Sequence, residues 1–107
     1  MKMRKYVYQY QFAGQRPASR DRDTGVEYVF HVSADRKTTS PLVIFVEDAI
    51  VDGWMAANGR DLRGSHRYGI AKIALRRALD ERPPEQAFAE IRPDAVEIAA
   101  ILEELDI

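Results

Sequence analysis

Hydrophobic side chains recur at every second position in two stretches near the amino terminus. Tyr6, Tyr8, Tyr10 and Phe12 alternate with Val7, Gln9 and Gln11, and Val26, Tyr28, Phe30 and Val32 alternate with Glu27, Val29, His31 and Ser33. Period two marks a strand buried on one face, so strands are predicted over residues 5–12 and 26–33. The run Leu42-Val43-Ile44-Phe45-Val46 shows no alternation and follows Pro41. Short, apolar and β-branched, it reads as a third strand covered on both faces. Residues 14–25 hold Gly14, Pro17, Gly25 and the charge run Arg20-Asp21-Arg22-Asp23. That composition predicts a long, mobile loop between the first two strands.

The period then changes. Ile50, Val51, Trp54, Met55 and Ala57 form a helical stripe, with Asp48 as the expected cap and Asn58-Gly59 as the expected left-handed stop. Residues 66–80 give the strongest helix signal. Tyr68, Ala71, Ala74, Leu75, Ala78 and Leu79 share one broad arc, Ser65 is the expected cap, and Arg82-Pro83-Pro84 ends the helix. Phe88 to Arg92 reads as a short fourth edge strand. Asp94 and Glu97 have capping-box spacing before Ile98, Ile101, Leu102 and Leu105. Strands first and helices after predict one α+β domain over residues 1–107. It is a three-stranded antiparallel meander followed by three helices packed on one face. The aromatic face of the first two strands is expected to be the helix-covered side, because burying it removes the most apolar area from water.

Composition narrows the chemistry. The chain has 107 residues, 46% hydrophobic and 31% charged, with no cysteine. Lack of cysteine excludes a disulfide framework, a thiolate zinc site and a cysteine nucleophile. No apolar run approaches the roughly 18 residues that span a bilayer. No apolar segment follows the basic start Met1-Lys2-Met3-Arg4-Lys5, so a cytoplasmic protein with no membrane association is expected. The net charge of −1 conceals a polarity: residues 1–37 sum to +4, residues 38–80 to +1 and residues 81–107 to −6.

Catalytic constellations are sparse. Glu47, Asp48 and Asp52 cluster at a strand-to-helix junction. Dipole complementarity at a helix start accounts for them better than a divalent metal does. His31 and His66 lie far apart in sequence and neither has a nearby carboxylate to orient it as a base. There is no glycine-rich phosphate loop. The expectation is a non-enzyme without metal or cofactor.

Two binding readings remain. The sheet face away from the helices would present Val7, Gln9, Gln11, Val29, His31, Val43 and Phe45, apolar in the middle and polar at the edges. Such a patch suits a protein partner or a homodimer. Pairing along an edge strand would serve as well. The protein would then be an accessory regulator or an inhibitor of a larger complex, of bacterial, phage or mobile-element type. The alternative is a nucleic-acid-binding module. It would use Arg4, Lys5, Arg16, Arg20 and Arg22, or the helix bearing Arg63, Arg67, Lys72 and Arg76. Strand tyrosines could serve as a stacking platform, but in a domain this small they are better explained as core. The basic helix has an internal partner available in the acidic carboxyl-terminal segment.

Overall fold

The computed structural model describes residues 7–107. Tyr6 and the basic residues Lys2, Arg4 and Lys5 lie outside the described residues. Three strands, β1 (Gln9–Arg20), β2 (Asp23–Ser33) and β3 (Ser40–Glu47), form an antiparallel sheet in the order β1-β2-β3. They are followed by helices α1 (Asp48–Asn58), α2 (Gly64–Glu81) and α3 (Ala95–Glu104), with a 3-10 turn at Pro84–Gln86. The α+β meander expected from the period change is the fold.

The loop expected over residues 14–25 is instead most of a hairpin. β1 and β2 pair from Gln9↔Ser33 to Arg20↔Asp23, leaving only Asp21 and Arg22 to turn, with Asp21 at φ 54°. Each residue that signalled a loop has a place in the sheet. Gly14, at φ 155°, sits at the register shift after Phe12, where Ala13 is the extra residue of a bulge. A two-residue turn makes Arg20 and Asp23 a hydrogen-bonded pair. Alternation from there places Pro17 in a non-bonded pair, with its nitrogen on the outer edge where no donor is required. Gly25 faces Phe45 across the sheet at a distance that excludes a side chain.

One sheet face carries Tyr28, Phe30, Val32, Leu42, Ile44 and Val46, all buried. On them pack Val51 of α1, Ile70, Ala71, Ala74 and Leu75 of α2, and Ile98, Ile101 and Leu102 of α3, forming one hydrophobic cluster. Burial stabilises by about 1.5–3 kcal/mol for each large apolar side chain, so this face holds the fold together. Small alanines on α2 let it lie close to β3, and α3 packs against both other helices.

Helix ends follow the expected chemistry in part. Asp94 accepts from the Glu97 N–H at 2.8 Å, and Gly59 (φ 61°) stops α1. Asp48 is not a cap: it is the first residue of α1, and its carboxylate accepts from Thr24 Oγ1 at 3.0 Å and faces Arg67 at 3.6 Å. Nor is Ser65, because α2 begins one residue earlier. There the Arg63 N–H donates to His66 Nδ1 at 3.0 Å. The fourth strand reduces to a single parallel bridge. Ile91 donates to the Val43 carbonyl at 2.9 Å and accepts from the Phe45 N–H at 2.8 Å. That bridge occupies the middle of the outer edge of β3, at Val43 and Phe45. No helix among the described residues is long and apolar enough to cross a membrane.

Candidate functional site

The face opposite the helices was expected to expose Phe45, and it does not. Phe45 is 0% exposed. Its ring lies against Gly25 and is covered by two guanidiniums, with Arg20 Cζ 4.7 Å and Arg92 Cζ 5.1 Å from the ring centroid. Carboxylates anchor both arginines. Arg20 bonds Glu27 and reaches Glu90 at 2.7 Å, while Arg92 reaches Glu47 and Asp23, each at 2.7 Å. Arg16 adds a bond to Glu27 at 2.7 Å. Hydrogen bonds from Arg16 and Arg20 hold the Glu27 carboxyl below its usual range. Hydrogen bonds donated to Glu90 and Glu27 raise Arg20, and those donated to Glu47 and Asp23 raise Arg92.

Covering Phe45 removes the centre of the expected patch. Val29 and Val43 are half-buried, His31 and Gln9 are exposed, and Val7 is 72% exposed. What remains open is the edge of β1. Every residue from Gln9 to Ala13 is exposed, and the strand has no neighbour on its outer side among the described residues. Tyr10 and Phe12 sit at the rim of the core at 36% and 39% exposure. Tyr10 meets Phe30 edge-on at 6.0 Å, and Phe12 contacts Phe30 at 5.4 Å and Tyr68 at 5.0 Å. The tyrosine face is therefore core at Tyr28 and rim at Tyr10. The alternation that placed Pro17 on the outer edge also turns the backbone amides of Tyr10, Phe12, Gln15 and Ser19 outward.

Beside the start of β1 lies a basin of about 760 Å³, lined by Gln9, Tyr10, Gln11, His31, Ser33, Arg36, Lys37 and Thr39. The turn from β2 to β3 shapes it. Asp35 accepts from the Lys37 N–H at 2.8 Å and the Thr38 N–H at 2.9 Å, and from the Ser33 and Thr38 hydroxyls. These bonds, those from Thr38 and Lys37 foremost, hold its carboxyl down at about 2. The tightened turn places Arg36 at φ 64°. Neither Arg36 nor Lys37 forms an ion pair among the described residues. Sequence reasoning passed over both cations. The available signal was Ser33-Ala34-Asp35, whose short polar side chains fold a turn back on its own backbone.

The other candidates disperse. Glu47 binds Arg92, Asp48 faces Thr24 and Arg67, and Asp52 is exposed on α1. No group of three metal-ligating side chains occurs among the described residues. His31 pairs with Pro41 at the turn end of β2. His66 stands at the start of α2, whose Arg67 reaches Asp48 at the opposite end of β3. Of the cations proposed for nucleic acid, Arg4 and Lys5 lie outside the described residues, and Arg16, Arg20 and Arg67 are ion-paired. Arg22, Arg63, Lys72 and Arg76 are unpaired among the described residues, but they run from the hairpin turn to the far half of α2. Arg77 bonds Glu104 at 2.9 Å, so the acidic helix neutralises part of the basic one. Comparison with models of protein families, with curated proteins and with solved structures returns no match for this chain.

Proposed function

We propose that the protein is a small, non-catalytic cytoplasmic binding protein that recognises another protein through the open edge of β1, as an accessory regulator or inhibitor of a larger complex. The observation carrying this reading is the contrast between the two sheet edges. Ile91 bonds the middle of the β3 edge, while β1 has no strand beside it on its outer side among the described residues and presents outward-facing amides flanked by partly exposed Tyr10 and Phe12. An extended segment laid along such an edge gains main-chain hydrogen bonds and packs alternate side chains on the rim. Self-association through the open sheet face loses its basis with Phe45 covered, so the edge takes over that role. A nucleic-acid surface is less well supported, because the sheet arginines Arg16 and Arg20 are engaged by Glu27 and Glu90.

The test uses the tagged full chain as bait in lysate of its host, beside a form carrying Tyr10→Pro and Gln15→Pro. Proline removes outward amides without breaking bonds to β2. Proteins retained by the native chain and lost from the folded proline form, with circular dichroism as the folding control, support the reading. An unchanged set of captured proteins overturns it.

A further inference from the structure

We infer that the segment recognised by the β1 edge is an acidic extended peptide, with carboxylates at alternate positions that enter the basin beside Gln9 and Gln11. This inference rests on the edge-pairing reading and gives its partner a chemistry.

Three observations carry it. Among the described residues, the basin's lining contains two cations, Arg36 and Lys37, together with His31, and no carboxylate. Asp35, the acid next to Arg36 in sequence, is turned into its own loop and occupied by four donors. The geometry of pairing supplies the rest. A strand added to β1 would lie about 4.8 Å outside it, with side chains alternating between the two sheet faces. Those on the face away from the helices would fall beside Gln9 and Gln11, with His31 one strand further in on the same face in the register Gln11↔His31. The partner residues beside Gln9 and Gln11 therefore adjoin the basin, and carboxylates there complete the charge of Arg36 and Lys37. Outward amides at Tyr10 and Phe12 match a peptide backbone, whereas a sugar-phosphate chain offers no ladder of acceptors and donors at strand spacing. The bulge at Ala13 interrupts the edge just beyond Phe12, so the paired segment is short.

The experiment measures fluorescence anisotropy of the full chain with four labelled probes. These are a short peptide of alternating valine and glutamate, its glutamine counterpart, the glutamate peptide N-methylated on alternate residues, and an oligouridylate of similar length. The second protein is Arg36→Asn/Lys37→Gln, in which asparagine tolerates the left-handed backbone at position 36. The expected result is binding of the glutamate peptide about tenfold or more tighter than the glutamine peptide. That preference is lost in the double variant, falls with added salt, and binding disappears on N-methylation. Equal binding of the two unmethylated peptides, unaltered by the double variant, overturns the acidic partner but leaves edge pairing standing. Undiminished binding of the N-methylated peptide overturns edge pairing itself. Oligouridylate binding more tightly than the peptide, and lost in the double variant, makes the basin a nucleic-acid site and overturns the inference.

Discussion

Phe45 occupies space that Gly25 leaves open: a Cβ on Gly25 would lie 2.8 Å from Phe45 Cζ and 2.3 Å from the Val46 carbonyl oxygen. The second contact is with backbone and has no rotamer to relieve it. Gly25→Ala is therefore expected to destabilise the fold by about 1–3 kcal/mol, as overpacking does. The melting temperature should drop by roughly 4–8 °C for each kcal/mol, measured by circular dichroism. An unchanged melting curve would contradict this close approach.

Phe45 itself should behave as a core residue. Truncation in Phe45→Ala removes a fully buried ring and should cost about 3–5 kcal/mol, a large share of the stability of a domain this size. Denaturant unfolding checks this through the midpoint. A surface residue at a partner interface would leave the midpoint where it was.

Acid should loosen the cover over Phe45. The folded pKa of Glu27 lies below its ordinary value of 4.5, through hydrogen bonds from Arg16 and Arg20. Its charged form therefore stabilises the fold above pH 4.5. That contribution is lost as the pH falls through the depressed folded value. Glu27→Gln should lower the melting temperature at neutral pH and flatten its decline in acid. Parallel curves for the native chain and the variant would contradict the assignment.

Removing the α3 cap should have a modest, local effect. Asp94→Ala deprives the Glu97 N–H of its acceptor and should cost about 1 kcal/mol. Hydrogen exchange should quicken first in the opening turn of α3, while β2 and β3 keep their protection. Uniform loss of protection would show that α3 docks as one unit with the sheet.

Where the sequence was readable, one periodicity governed one stretch. Val26 to Val32 alternates, Tyr28, Phe30 and Val32 are buried as that alternation requires, and the Asp94 cap follows from spacing alone. The second half of β1 was unreadable for a physical reason. Ala13 adds a residue and shifts the pleat, so a single period cannot run through Phe12 into Gln15. As an edge strand it also needs few apolar residues, and its glycine and proline imitate a loop. The covering of Phe45 was hidden because it depends on Arg20 and Arg92, far apart in sequence. Period analysis assigns arginine to solvent, although its planar head can lie flat on a ring. The basin was missed for a similar reason, since Arg36 and Lys37 belong to a turn and His31 to a strand.

The bridge at Ile91 also sets a valency. With the middle of the β3 edge taken by Ile91, the described sheet has one unobstructed edge, so under the proposed reading it would take one partner strand rather than template a row of them. A second copy pairing β1 with β1 would consume both edges and close as a twofold pair, with nothing left to propagate a fibre. Self-pairing and partner binding would draw on the same outward amides and exclude one another. The protein's own concentration would then compete with its partner for the site.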